Sequence, residues 1–287
     1  MKIIKIKSGL GNQMFQYAFA KTWQALTDDT ILLDISHFKL ENLHNGFELS
    51  ELFNIDLDIA AEDEVKKIAT IPDSFVNRIR RKYLTKATHY IENEDVFDKK
   101  VFSYKDDHYF EGYWQNEKYF EPIKQNINNI FSFKKPLNEE SAGAEKQITS
   151  KTASIHIRRG DYLLKMNSFL NVCDLAYYEK ALKTLKNKAE IDRIIVFSDD
   201  SQWCRGNLDF GSIPVIYADW NNGADSWQDM YLMSKCAYNI IPNSSFSWWA
   251  AYLNPNPGKI VIAPAIWKKT AGNTKKELPE NWIKIEL

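Results

Sequence analysis

Residues 1–35 read MKIIKIKSGLGNQMFQYAFAKTWQALTDDTILLDI. Met1 to Lys7 alternates apolar and basic side chains as a strand does, Ser8-Gly9-Leu10-Gly11-Asn12-Gln13 turns, and a helix is expected from about 13 to 26. A second strand follows at 30–35. Strand, helix and strand make one βαβ unit, the building block of parallel sheets with right-handed crossovers.

The alternation continues along the chain. A strand is expected at 109–114 and a helix over 117–131, whereas residues 47–104 carry no readable period. Lys134 to Lys151 (KKPLNEESAGAEKQITSK) is polar and holds a proline and a glycine, so a domain boundary is drawn there, at 145/146. Beyond it come strands at 153–158, 193–198, 213–217, 238–241 and 259–263, with helices at 175–188, 225–237 and 245–253. The expected fold class is α/β, with domains 1–145 and 146–287 facing each other across a cleft.

Composition limits the function classes. With 44% apolar and 14% aromatic residues the chain has ample core-forming material, and 37 basic against 38 acidic residues argue against a nucleic-acid partner. Cys173, Cys204 and Cys236 suit neither a disulfide framework nor a zinc site, so they are expected to be reduced, as in a cytoplasmic protein. Neither a signal peptide nor a bilayer-spanning run is expected.

Two strand ends carry the chemistry. Ser8 to Gln13 places glycines at the start of a helix, where backbone N–H groups and the helix dipole favour an anion, although most such turns are only turns. His156-Ile157-Arg158-Arg159-Gly160-Asp161-Tyr162 puts two guanidinium forks where a diphosphate fits. Both turns fall at C-terminal strand ends, the ligand-binding side of open α/β sheets.

Gly9 to Ala18, His156 to Asp161, Phe197-Ser198-Asp199-Asp200 and Asn243 to Ala250 together resemble the bacterial α-1,2-fucosyltransferase family, as do Glu111 to Gln115 and Asp229 to Ser234. The resemblance runs from residue 9 to about 267. It implies a GT-B architecture of two Rossmann-like domains, the first mainly acceptor-side and the second binding GDP-L-fucose. It further implies inverting transfer to the 2-hydroxyl of a β-galactoside, in O-antigen or other surface-glycan synthesis, with GDP-L-fucose as substrate, no cofactor and no essential metal. The acceptor is then a galactose-containing oligosaccharide or lipid-linked glycan. Two rivals stay open: an inverting transferase with another linkage or donor, and a carbohydrate-binding relative without turnover.

On this reading Arg158 stabilises the departing GDP and Arg159 holds its neighbour in place or contacts the acceptor side, against the plainer alternative of an Arg–Asp pair with Asp161. Asp161 is a general base or, preferably, an orienting carboxylate, because two adjacent arginines weaken it as a base. The resemblance gives donor binding to His156, Arg159, Gly9, Gly11, Gln13, Ser244, Ser245 and Phe246. It also carries the guanine contact to Asp229, with Asp225 as competitor. Asn12 serves the reaction centre or merely caps the helix. Ser244 and Ser245 have the same capping alternative, and Trp248 and Trp249 are expected in the core. Asp199 and Asp200 contact the donor or cap the helix containing Trp203. Asp56-Leu57-Asp58 is taken as a chance D-x-D. The basic run Arg78 to Tyr83 with Lys86 reads as a solvated face, with peripheral membrane contact as the alternative.

Overall fold

The computed structural model describes residues 1–40, 45–70, 85–93, 96–170, 172–269, 274–275 and 277–286, and for residues 40, 161, 166, 274 and 275 the backbone alone. The chain divides into two compact units, 1–134 and 135–287.

The first unit holds β1 (Lys2–Lys5), α1 (Leu10–Leu26), β2 (Ile31–Asp34), β3 (Asp58–Ile59), α2 (Glu62–Ile68), β4 (His89–Ile91) and β5 (His108–Glu111). Its sheet has the order β3-β2-β1-β5-β4, and every pairing is parallel. α1 is buried over most of its length, with Met14, Phe15, Ala18, Phe19 and Trp23 at 0% exposure beside the buried amides Gln13 and Gln16, so it is enclosed on nearly every side. Phe19 stacks on Trp114 at 4.0 Å between ring centres. Lys2 is fully buried, its ammonium donating to the carbonyls of Lys105 and Asp106 beside Asp29. That pairing offsets the desolvation of a buried charge.

The second unit contains α3 (Glu139–Glu145), β6 (Thr152–Ile157), α4 (Leu175–Lys186), β7 (Arg193–Ser198), α5 (Ser201–Asn207), β8 (Val215–Ala218), α6 (Trp227–Lys235), β9 (Tyr238–Ile240), α7 (Ser245–Leu253), β10 (Ile260–Pro264), β11 (Ile266–Lys268), β12 (Thr274–Lys275) and β13 (Ile283–Ile285). The main sheet runs β13-β10-β9-β6-β7-β8, all parallel, and β11 pairs antiparallel with β12.

The boundary lies one short helix earlier than 145/146. α3 belongs to the second unit because Asn138 and Ser141 hydrogen-bond Asn221 and Glu145 accepts from Tyr231 Oη. Residues 117–131 do not form one helix. Glu117–Tyr119 and Glu121–Asn126 are 3-10 turns, followed by a single helical turn at Ile127–Ile130. Asn126, Asn128 and Asn129 offer the backbone competing hydrogen bonds. Trp248 and Trp249 are core residues, 1% and 0% exposed. No helix among the described residues is long and apolar enough to cross a membrane.

Candidate active site

In the second unit the chain runs outward from β6 through β7 to β8, then restarts at β9 and runs the other way through β10 to β13. That reversal opens a crevice between the C-terminal ends of β6 and β9, the usual ligand position in such sheets. His156, Arg158 and Arg159 lie at one side of it, and Asn243 to Phe246 at the other.

Register pairs His156 with Phe197 and Ile157 with Ser198, so the segment after β6 meets the segment after β7. Arg158 Nη1 lies 3.1 Å from Asp199 Oδ2, and Arg159 Nε lies 3.1 Å from Asp200 Oδ2. The Arg159 backbone N–H donates to Asp199 Oδ1 at 2.9 Å. Arg159 also lies flat on Trp203, 3.8 Å from the ring centre. Asp200 has a second duty, because its Oδ1 accepts from Trp203 N and caps α5. The Trp203 N–H first, and Arg159 next, hold the Asp200 carboxyl below its ordinary range. A Cβ on Gly160 would come within 2.9 Å of Asp199 Oδ2, so the glycine keeps room for this carboxylate. Among the described residues Arg158 therefore pairs with Asp199 and Arg159 with Asp200, both just beyond β7. The Asp161 side chain lies outside the described residues.

His156 is 7% exposed, and its Nδ1 is buried without a hydrogen-bond partner among the described residues. Burial, and then the charge of Arg158, push its pKa down to about 4, so the imidazole is neutral at physiological pH. Phe246 packs against it at 5.9 Å. Ser244 occupies the N-cap position of α7, yet its side chain makes no capping bond. That removes the purely structural reason for a hydroxyl there.

Asn243, quoted only as part of a motif, is a staple that sequence reasoning missed. Its Nδ2 donates to Leu170 O (2.9 Å) and Trp267 O (2.8 Å), while its carbonyl accepts from Tyr162 Oη at 3.0 Å. The loop behind the arginines is thereby tied to the turn before α7. No sequence signal reveals it, since asparagine is common in such turns.

Asp229 is half-buried in the first turn of α6 and accepts from Asn221 Nδ2 at 2.8 Å. Burial pushes its carboxyl up to about 7, and the Asn221 bond only partly opposes this. Asp225 is exposed and accepts from Gln228.

The first unit has its own reversal, between β1 and β5. α1 begins at Leu10 with Gly9 as N-cap at φ −72°. Gly11 is within the helix, so neither glycine supplies left-handed backbone. Among the described residues the left-handed non-glycines are Ser8 (φ 67°) and Trp114 (φ 53°), one beyond each flanking strand. Asn12 does not cap the helix, and its Oδ1 accepts from Gln115 Nε2 at 2.6 Å. Gln13, expected to bind donor, is fully buried and engaged. It donates to Ser8 O and Gly46 O, both at 2.8 Å, and accepts from Glu48 N at 3.0 Å. Both of its amide hydrogens are used in holding the turn, so it has no N–H left to donate to a ligand.

Asp56 accepts from Tyr17 Oη and Lys21 Nζ, while Asp58 is exposed on the short strand β3. Burial would raise the Asp56 carboxyl, but the bonds from Lys21 and Tyr17 outweigh it and keep the value low. Lys86 donates to Lys66 O and Lys67 O at the end of α2. Arg78 to Tyr83 lie outside the described residues. Among the described residues no group of three or more His, Cys, Asp or Glu is arranged to hold a metal ion.

The sequence pattern of glycosyl transferase family 11 matches residues 1–286. Over 295 residues, 99% of this chain and 98% of the relative, the chain is 34% identical to an Escherichia coli α-1,2-colitosyltransferase. It is 33% identical to the E. coli O-antigen biosynthesis glycosyltransferase WbnK, covering 98% of this chain and 99% of that one. A galactoside α-(1,2)-fucosyltransferase 1 of Saimiri boliviensis boliviensis matches at 28% over 47% of this chain and 40% of its own. Among solved structures, the α-1,6-fucosyltransferase NodZ co-crystallized with GDP superposes with a TM-score of 0.54 at 16% identity, covering 88% of this chain and 92% of that one. Such neighbours place the fold in the GT-B class of two Rossmann-like domains.

Proposed function

Since the chain belongs to glycosyl transferase family 11, we propose that it transfers L-fucose from GDP-L-fucose to the 2-hydroxyl of a β-galactoside, with inversion, in surface-glycan synthesis. The observation that carries this is the arginine pair held by Asp199 and Asp200 at a strand-end reversal.

In the reaction the acceptor oxygen bonds to the anomeric carbon as the bond from that carbon to the β-phosphate oxygen breaks. GDP departs with the electron pair, and its charge needs prearranged cations or N–H donors. Arg158 supplies a guanidinium fork already fixed by Asp199, so little reorganisation accompanies the reaction. Ser244, Ser245 and the N-terminus of α7 offer a hydroxyl and N–H cradle for the diphosphate. Neutral His156, with its Nδ1 unpartnered among the described residues, and Phe246 line the donor side, and Asp229 takes the guanine edge. The acceptor proton passes to a base, for which Asp161 is the candidate.

We assign donor binding to the second unit and acceptor duties to the first. The protein then works on the cytoplasmic side, on an oligosaccharide or a lipid-linked glycan.

The test is transfer from GDP-L-fucose to a panel of β-galactosides, with linkage analysis of the products. A product cleaved by an α-1,2-specific fucosidase is expected, and a resistant product or no transfer overturns the reading. The colitosyltransferase relative favours a second reading, GDP-colitose as donor. Colitose lacks the 3-hydroxyl of fucose, and competition between the two donors decides between them.

A further inference from the structure

Three side-chain amides sit in the first two turns of α1, and their partners separate them. Gln13 has both amide hydrogens engaged, as described. Gln16 is buried too, its Oε1 accepting from Lys7 N at 2.9 Å and its Nε2 donating to Gly112 O at 3.1 Å. It ties the turn after β1 to the turn after β5. Asn12 differs from both. It is half-buried, its carbonyl oxygen is taken by Gln115, and its Nδ2 has no protein partner among the described residues. An amide whose oxygen is held has its orientation determined, so both Nδ2 hydrogens are directed away from Gln115, on the side of the β1–β5 reversal left to a ligand oxygen.

The turn that delivers Gln115 is strained. Trp114 is fully buried at φ 53°, an unfavourable conformation for a bulky residue. Glu92 Oε2 pins it by accepting from Tyr113 N (2.6 Å) and Trp114 N (2.9 Å). A Cβ on Gly112 would come within 2.5 Å of Glu92, so only glycine lets the two segments approach. Opposite, Ser8 takes φ 67° just before α1. Two strained non-glycine residues thus flank the Asn12–Gln115 contact that bridges the reversal.

We infer that Gln115 is a positioning residue for the transferase reaction. It holds Asn12 Oδ1 so that the Asn12 NH2 group donates to an oxygen of the reacting sugar or of the acceptor. The inference rests on the proposed function and adds what orients the amide.

Gln115→Glu tests it through pH. The carboxylate introduced by this substitution cannot donate when ionised, so Asn12 turns its NH2 group towards it and presents its oxygen to the ligand. Once protonated, the same carboxyl donates again and restores the native orientation. We expect kcat of Gln115→Glu to be roughly 100-fold below wild type at pH 8, the scale of a misplaced reacting group. The deficit relative to wild type should shrink as pH falls through the carboxyl range. Gln115→Met should be low at every pH, and calorimetric GDP affinity and Tm should stay close to wild type in both variants. Gln115→Glu at wild-type turnover at pH 8 overturns the inference, because Asn12 would then be the donor in the pair. Equal losses in kcat and Tm, without acid rescue, also overturn it in favour of a purely structural contact. If the wild type transfers no fucose to any galactoside, the functional reading falls and the inference with it. A fully active Gln115→Met removes the inference alone.

Discussion

Arg158 carries the largest expected effect of any side chain. Arg158→Ala should lower kcat/KM by more than ~100-fold, the scale of losing a prearranged group at developing negative charge. Arg158→Lys should restore little, since an ammonium cannot both keep Asp199 and present a fork. Steady-state kinetics on the two variants check this, and near-normal rates in both end the leaving-group role. Asp229 makes a prediction through pH. Its folded value of about 7 lies above the ordinary 3.8, so the folded chain keeps this proton longer than the unfolded chain does. Stability without ligand should therefore fall as pH rises from about 4 to about 7 and level off above. A guanine edge presents N–H donors to the ionised carboxyl, so GDP affinity should strengthen through the upper part of that window. Calorimetry from pH 5.5 to 8.5 on wild type and Asp229→Asn should show both trends in the first and neither in the second. Identical profiles refute the guanine contact.

At the level of elements, α7 separates capping from ligand binding. Loss of a capping bond costs about 1 kcal/mol, but Ser244 makes none. Ser244→Ala should leave Tm nearly unchanged while weakening GDP binding by roughly 10-fold, as expected for a lost bond to a charged oxygen. A fall in Tm with normal GDP affinity would return Ser244 to a structural role. α5 shows the opposite case, where one carboxylate both caps the helix and holds an arginine. The element pattern was legible wherever a period ran long enough. β1, α1, β2 and most of the second unit match it closely. α1 begins at Leu10 rather than 13, because two glycines near its start read as a longer turn. β3, β4 and β13 have two or three residues each, too few to show alternation.

For the whole molecule, the proposed function gives the arginine pair and the α7 N-terminus the role that a cation plays in metal-dependent transferases. Transfer should therefore persist in excess EDTA. Loss of activity that manganese or magnesium restores would show that the cradle is incomplete. GDP at 100 times its Kd should also add about 2.7 kcal/mol of stability, provided it binds only the folded chain, and so raise the unfolding temperature measured by calorimetry.

Residue order by itself determined the α/β class, the strand-end position of the two motifs and the pool of candidate residues. Each of these follows from local periodicity and short-range turn chemistry. It did not determine which carboxylates hold the arginines, or that Gln13 is occupied by its own turn while Asn12 is held by Gln115. Those pairings span 41 residues for Arg159–Asp200, 35 for Gln13–Glu48 and 103 for Asn12–Gln115. They exist because β6 lies beside β7, β1 beside β5 and the segment after β2 beside the start of α1. Strand order is set by how helices and sheets bury their apolar faces together, a property of the packed chain that no local stretch encodes.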